Sequence, residues 1–193
     1  MPASPGSLAH VVYRTRRFDE MLDWYATVFG ARIQHRNPVM AFLTFDDEHH
    51  RFAFLDLDAI DPEGLERETK AWTGVDHLAW SYASLQDLFD NYSHRKAQGI
   101  TPYWCVHHGL TISMYYADPD GNQMEFQVDA FGSADECNAY ISGPQFEANP
   151  VGVEFDPAAW LAAVDRGASL DDFRERKVHE PVSPIRGAVS ALL

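Results

Sequence analysis

The sequence predicts an α+β fold made of two tandem β-α-β-β-β modules, followed by a C-terminal helical tail. Two observations predict the modules. The chain matches itself at a constant shift of 67 residues, from position 10 to position 77, and each copy shows one helical pattern flanked by strand-like runs. A third observation predicts the tail, because the residues after about position 130 follow neither copy.

The internal match preserves residue type more than identity. His10 falls on His77, Tyr25 on Tyr92 and Ile33 on Ile100, and the apolar positions between them stay in step without a gap. Such self-similarity indicates a duplicated supersecondary unit, with copies at about 7–57 and 74–130. The predicted domain division is therefore 1–130 for the paired modules and 131–193 for an extension packed on them or on a neighbouring subunit.

Short apolar runs predict the strands, because they are rich in β-branched and aromatic residues and bounded by turn residues. The predicted strands are Leu8–Tyr13, Ala31–Gln34, Val39–Phe45 and Arg51–Leu57 in the first copy, and Val75–Trp80, Thr101–Val106, Leu110–Ala117 and Gln123–Val128 in the second.

One helix is predicted after the first strand of each copy. Its apolar residues recur at helical spacing, with Thr15 or Ser84 as the expected N-cap and Gly30 or Gly99 at the end. In the tail, helices are expected at Ala158–Arg166 and Ser169–Lys177, and an acidic surface connection at Asp58–Thr73.

Composition excludes several partners. The 193 residues carry a net charge of −14, which argues against nucleic acid or an anionic membrane as a partner. No run reaches membrane-spanning length, and the N-terminus lacks a signal pattern. Cys105 and Cys137 form no metal motif or disulfide framework, so we expect a cytoplasmic protein.

Three residues form a candidate metal site. His10 and His77 occupy equivalent positions of the repeat, on apolar strands where a polar side chain needs a partner. Glu125 lies on the last strand of the second copy, and the first copy has no carboxylate there. Buried, hydrogen-bonded histidines and a solvated glutamate are the alternatives. Two imidazoles and one carboxylate are the ligand set that leaves coordination positions open for substrate and oxygen.

The turn between the last two strands places a tyrosine opposite Glu125. If the loop is Pro119-Asp120-Gly121, Tyr115 pairs with Glu125 on one face while Tyr116 points the other way. A two-residue loop, Asp120-Gly121, would place Tyr116 opposite Glu125 instead. Tyr115 is thus a candidate to contact a metal-held ligand, although an ordinary strand aromatic fits the same pattern.

Two histidine pairs lie at strand ends, His49-His50 in the first copy and His107-His108 in the second. Either pair could be a solvated loop. An imidazole near a bound oxygen species can also move protons near neutral pH, so His50, His107 and His108 are candidate catalytic residues.

These residues together resemble the one-domain type I extradiol ring-cleaving dioxygenases of the vicinal oxygen chelate superfamily, which also contains glyoxalase and bleomycin-resistance proteins. The stretch from Tyr115 to Phe126 resembles the family signature that ends in its glutamate ligand. The stretch from Glu48 to Phe54 is similar to the family's His-His-x-x-Ala run, which makes His50 the oxygen-activating residue. The family's acid–base histidine falls on His107 or His108.

The resemblance implies two modules that form a half-open barrel around Fe(II), or Mn(II), held by His10, His77 and Glu125. It implies O2-dependent extradiol cleavage of a catechol and a homo-oligomer. Alternatives on the same fold are a metal-dependent isomerase, epimerase or glyoxalase-like lyase, and a non-catalytic small-molecule-binding protein.

Overall fold

The structure is a computed structural model that describes residues 8–60, 62, 75–176 and 180–187. The chain divides into two compact units. Unit 1 comprises Met1–Gly74 together with Asp118–Gly121, and unit 2 comprises Val75–Ala117 together with Asn122–Leu193. Most of the predicted connection Asp58–Thr73 lies outside the described residues.

Unit 1 is a four-stranded sheet with one long helix. Its strands occur in the spatial order β1-β4-β3-β2, with β1 parallel to β4 and the other pairs antiparallel. The elements are β1 (Val11–Thr15), α1 (Phe18–Phe29), β2 (Arg32–Arg36), β3 (Met40–Thr44), β4 (Phe52–Asp56) and α2 (Leu57–Ile60).

Unit 2 repeats this arrangement and extends it. Its sheet has the order β5-β8-β7-β6-β9, with β5 parallel to β8 and the other pairs antiparallel. The elements are β5 (His77–Ser81), α3 (Leu85–Ala97), β6 (Trp104–His107), β7 (Thr111–Ala117), β8 (Gln123–Asp129), α4 (Ala134–Ile141), α5 (Pro144–Ala148), β9 (Val153–Glu154), α6 (Pro157–Asp165) and a 3₁₀ turn (Leu170–Phe173).

The predicted α+β fold class is confirmed. Both units have the order β-α-β-β-β and the same strand arrangement, in which the first strand pairs with the fourth. In the described part of the chain neither sheet closes on itself, since each has two edge strands. No helix among the described residues is long and apolar enough to cross a membrane.

The helices pack through the predicted apolar faces, but their first turns differ. Ser84 caps α3 as expected, its side chain accepting the Asp87 N–H. Thr15 is not the cap of α1. It is the last residue of β1, its hydroxyl accepts the Arg17 N–H, and Arg17 is the N-cap. Gly30 ends α1 at φ 63°, where a residue without Cβ is favoured.

The extension departs most from prediction. The helix expected at Ala158–Arg166 is present as α6, but in the described part of the predicted helix Ser169–Lys177 only Leu170–Phe173 is helical, as a single 3₁₀ turn. Lys177 lies outside the described residues. Ser169 and Asp172 cap each other's backbone reciprocally, and the Trp160 and Phe173 rings stack at 4.5 Å. These contacts stabilise one turn, after which the chain leads to the buried Arg176. The elements α4, α5 and β9 have no counterpart among the predicted elements.

Candidate active site

Glu125 is a buried carboxylate on β8, and Tyr115 lies directly across from it on β7. The register pairs Tyr115 with Glu125 and Tyr116 with Met124, which confirms the predicted three-residue turn. Glu125 is 5% exposed, so the alternative of a solvated glutamate is excluded. Tyr116 lies on the opposite face, where its ring contacts Phe126 at 5.7 Å.

His77 begins β5, the strand parallel to β8, and its ring faces the Glu125 carboxylate. Nε2 lies 3.1 Å from Glu125 Oε2, and Nδ1 lies 3.1 Å from Asp76 Oδ1. The hydrogen bond to Glu125 and that to Asp76 raise the pKa of His77 to about 9, against the effect of burial.

Glu125 is held ionised by its neighbours. Burial by itself would raise its pKa, but the hydrogen bonds from His77 and Ser113 and the nearby His108 keep that pKa below its ordinary value. A buried carboxylate that stays charged needs such partners, or a cation in their place.

The His77–Glu125 pair fits one side of a metal site. Two donor atoms bound at right angles to one ion, each at about 2.1 Å, lie about 3 Å apart, which matches the 3.1 Å between Nε2 and Oε2. Asp76 accepts from Nδ1 and so leaves Nε2 as the ligating nitrogen. Among the described residues no group of three or more His, Cys, Asp and Glu side chains forms a preassembled metal site, so the three-residue triad stays a prediction.

The strand registers identify the residue of unit 1 that corresponds to Glu125. In unit 2, β5 and β8 pair Leu78 with Met124 and Ala79 with Glu125. In unit 1, β1 and β4 pair Val11 with Phe52 and Val12 with Ala53. The position that corresponds to Glu125 is therefore an alanine.

The structure separates the two neighbours His107 and His108. His108 Nε2 lies 3.0 Å from the Tyr115 hydroxyl and 3.9 Å from Glu125 Oε1, so His108 belongs to the cluster around Glu125. His107 is buried, its Nε2 lies 3.0 Å from the Arg174 carbonyl, and its Nδ1 accepts the Gly109 N–H. Both nitrogens of His107 are therefore occupied by backbone groups.

Burial lowers the pKa of both rings. For His107 the value is about 4, and for His108 desolvation outweighs the attraction of Glu125. Both histidines are consequently neutral near neutral pH, which is the state a proton acceptor requires.

In unit 1, His10 and His50 lie together. Their rings are 4.4 Å apart, and His50 also contacts Phe42 and His49. His10 directly precedes β1, and the backbone N–H of Val11 donates a hydrogen bond to the Arg51 carbonyl. Burial and the neighbouring His10 and His49 rings lower the pKa of His50. Unit 1 thus presents a cluster of imidazoles with one predicted ligand and one predicted catalytic residue.

Sequence reasoning missed the residues that hold this site. Asp76 contacts His77, and Gln123 donates to Asp76 while accepting from the Tyr103 hydroxyl at 2.7 Å. Asp76 could have been proposed, since an acid next to a candidate ligand is visible in the sequence. The Val151 carbonyl, 2.5 Å from His108 Nδ1, carries no sequence signal because any residue supplies a carbonyl.

Comparison with known proteins identifies the superfamily of the chain. The Glyoxalase/Bleomycin resistance protein/Dioxygenase superfamily matches residues 7–126, so the chain belongs to that superfamily. A structure of a superfamily member from Nocardioides has a TM-score of 0.52 at 17% identity, covering 68% of this chain and 89% of that one. This likeness concerns the fold alone.

Two curated relatives define the class within the superfamily. The chain is 43% identical to biphenyl-2,3-diol 1,2-dioxygenase 2 of Rhodococcus globerulus over 89% of its own length and 87% of the relative. It is 38% identical to biphenyl-2,3-diol 1,2-dioxygenase 3 of the same organism over 88% and 87%. The prediction of an extradiol dioxygenase is thereby confirmed, and this enzyme class implies a metal cofactor, a diol substrate and O2.

Proposed function

We propose that the protein opens the diol-bearing ring of biphenyl-2,3-diol, or of a catechol with a comparable aryl substituent, beside the two hydroxyl groups. The observation that carries this proposal is 43% identity to a biphenyl-2,3-diol 1,2-dioxygenase over most of both chains. The cluster of His77, Glu125, His108 and Tyr115 in unit 2 supports it, because it combines metal donors with proton-transfer groups.

The metal ligands in this proposal are His10, His77 and Glu125, and the metal is Fe(II), with Mn(II) as the other ion that accepts this ligand set. When bound, the ion would act as Lewis acid and template and would bring the diol and O2 together. In the metal-free state His77 carries a proton beside Glu125, so metal binding displaces a proton from its Nε2.

His108 is the proposed proton acceptor. Its Nε2 faces the Tyr115 hydroxyl and the Glu125 carboxylate, and the depressed pKa leaves it neutral and able to take a proton from a substrate hydroxyl. Tyr115 then supplies a hydrogen bond to the oxygen that has lost its proton. His107 has no role in proton transfer in this account, because both of its ring nitrogens are bonded to the backbone.

His50 is the proposed residue for the oxygen step. It lies beside His10 in unit 1, and its lowered pKa makes it a neutral hydrogen-bonding group near neutral pH. In that state it donates or accepts one hydrogen bond without bringing a charge.

The isomerase and glyoxalase-like relatives commonly use an acidic residue on the last strand of the first module, where the only carboxylate is Asp56 at the end of β4. Ala53 stands at the position that corresponds to Glu125, and the flanking Phe52 and Phe54 are buried apolar residues. No observation favours these alternatives over ring cleavage.

Three further expectations stay proposals. The domain division at 130/131 is one, and a homo-oligomer is the second. A cytoplasmic location is the third, and the free thiols of Cys105 and Cys137 support it.

The function is tested by loading the purified protein with Fe(II) without air and then adding O2 with each member of a catechol panel. Biphenyl-2,3-diol and 3-alkylcatechols should give a yellow ring-opened product, with the aryl compound at the highest kcat/KM. Zinc-loaded protein is the control and should be inactive. Absence of any ring-opened product from iron-loaded, folded protein over the whole panel would refute the proposal.

A further inference from the structure

His107, the last residue of β6, and His108, the first residue after it, bond to the C-terminal extension through opposite ring nitrogens. His107 uses Nε2 toward the Arg174 carbonyl, whereas His108 uses Nδ1 toward the Val151 carbonyl, 2.5 Å away. A carbonyl oxygen can only accept, so in each case the ring nitrogen carries the hydrogen. A neutral His108 therefore has its hydrogen on Nδ1 and a lone pair on Nε2.

That lone pair points at the reaction site. His108 Nε2 lies 3.0 Å from the Tyr115 hydroxyl, which donates to it, and 3.9 Å from Glu125 Oε1. With the hydrogen on Nε2 instead, His108 would face the site as a donor and could not accept a proton there. The identity of the group that bonds Nδ1 thus decides what His108 can do.

We infer that the C-terminal extension is part of the catalytic apparatus, and that the Val151 carbonyl is the positioning group that holds His108 in the Nδ1–H tautomer with Nε2 ready to accept a proton. This inference rests on the proposed role of His108 in extradiol cleavage. It gives the extension a task that neither the repeat nor the metal triad requires.

The Val151 carbonyl belongs to the turn Asn149–Gly152, which several hydrogen bonds hold in place. The Asn149 side chain accepts the Gly152 N–H at 2.7 Å and donates to the Gly152 carbonyl at 3.0 Å, which also accepts from Ser183 N–H at 2.9 Å. Directly after the turn, Val153 pairs with His107 as part of β9. The Val151 carbonyl therefore lies between the hydrogen-bonded Asn149 and the strand residue Val153.

Arg176 ties the turn to the histidine itself. Its Nη1 donates to the His108 carbonyl at 3.0 Å and to the Asn149 carbonyl at 2.8 Å, and its Nη2 donates to the Gln145 carbonyl at 2.9 Å. Arg176 is buried. A planar guanidinium that bonds both segments sets their separation more firmly than packing alone.

Gly152 shows how closely the turn approaches the histidine pair. Its φ is 115°, and a Cβ at this position would lie 2.5 Å from the His107 carbonyl oxygen and 2.9 Å from His108 Cα. Backbone atoms cannot move aside as a flexible side chain can, so Gly152→Ala must displace the turn. Gly167 offers a matched control, because its φ is 103° and an added Cβ would meet nothing within 4 Å.

The first measurement is the tautomer of His108 in the full-length, zinc-substituted protein, which is diamagnetic. Nitrogen-15 NMR of the histidine rings distinguishes Nδ1–H from Nε2–H, and the His108 signals are assigned by their loss in His108→Gln. We expect Nδ1–H near neutral pH. An Nε2–H tautomer would overturn the inference.

The second measurement compares Gly152→Ala with Gly167→Ala. Gly152→Ala should lose the single Nδ1–H tautomer and reduce kcat roughly 10- to 100-fold, the usual range for a group that orients a site residue, with KM and iron content retained. Gly167→Ala should keep the tautomer and kcat. A folded Gly152→Ala with wild-type tautomer and kcat would contradict the inference.

A less disruptive variant, Asn149→Ala, tests the inference if Gly152→Ala does not fold. Asn149→Ala removes both side-chain bonds to Gly152 without adding atoms, and should change the tautomer population and kcat in the same direction. Unchanged tautomer and kcat would again contradict the inference.

The failure of the proposed function can be distinguished from the failure of this inference. A wild-type protein with the Nδ1–H tautomer but no ring cleavage refutes the function alone. An active enzyme with the Nε2–H tautomer refutes this inference alone.

Discussion

Neighbouring residues of the same type have different environments in this protein. His107 and His108 are adjacent, yet one bonds only backbone groups and the other faces Tyr115 and Glu125. Tyr115 and Tyr116 are likewise adjacent and lie on opposite faces of β7. Each pair thus contains its own control, since both members can be changed in the same way.

The histidine pair gives the first prediction. His108→Gln should keep iron and fold but reduce kcat by roughly two to four orders of magnitude, since the proton acceptor is lost. His107→Gln should act mainly on stability, by about 1–3 kcal/mol, because it disturbs two buried hydrogen bonds. Steady-state kinetics and urea unfolding of both variants provide the measurement. A larger loss of kcat in His107→Gln would reverse the assignment.

The tyrosine pair gives the second prediction. Tyr115→Phe should lower ring-cleavage activity or weaken catechol binding, because its hydroxyl bonds His108 and lies on the Glu125 face. Tyr116→Phe should change both quantities little, since that ring packs against Phe126. Kinetics of the two variants on one catechol decide between them, and equal losses would show that the face of the strand is irrelevant to catalysis.

The proposed metal ligands give the third prediction. His10→Ala, His77→Ala and Glu125→Ala should each remove most bound iron while the fold is kept, because three protein ligands leave no spare donor. Iron per chain after anaerobic reconstitution is the measurement, with His49→Ala as a control outside the proposed triad. A variant that retains full iron would exclude its residue from the ligand set.

At the scale of elements, the parallel strands β5 and β8 bring together His77 and Glu125, which form the ion pair of the site. The hydrogen bonds to Glu125 and Asp76 raise the pKa of His77 from its ordinary value of 6.5 to about 9 in the folded, metal-free protein. The folded state therefore binds this proton more tightly than the unfolded state. The stabilising contribution is complete below about pH 6.5 and is lost as the pH rises toward about 9.

The fourth prediction follows from that window. The free energy of unfolding of the metal-free protein should fall as the pH increases from about 6.5 to about 9. Urea unfolding over this range measures the slope, and His77→Gln should flatten it. A wild-type slope that persists in His77→Gln would assign the pH dependence to another group.

Elements with a strong local signal could be predicted from the sequence, and elements held by tertiary contacts could not. The hairpin register followed from Pro119 and Gly121, and the end of α1 from Gly30, because these residues restrict the backbone directly. The N-cap of α1 was misplaced because Thr15 belongs to the preceding strand. The two-residue strand β9 is too short to have a pattern, and it exists through its pairing with β6.

At the scale of the whole molecule, duplication made the site partly predictable. The repeat singled out His10 and His77, and the absence of a carboxylate in the first copy singled out Glu125; the structure places Ala53 at that missing position. Contacts between residues distant in the chain could not be predicted, because no pattern in the sequence indicates them. The bonds of Arg176 to His108, Asn149 and Gln145 join three segments and follow only from the folded chain.

Ring cleavage at a metal centre is the central claim of this account, and isotope-labelled oxygen tests it most directly. The iron-loaded protein is given biphenyl-2,3-diol and ¹⁸O₂, and the product is analysed by mass spectrometry. Extradiol cleavage predicts that both oxygen atoms enter one product, one in a new carboxylate and the other in a ketone beside the aryl group. A product with two carboxylates, or a product without label, would contradict the account.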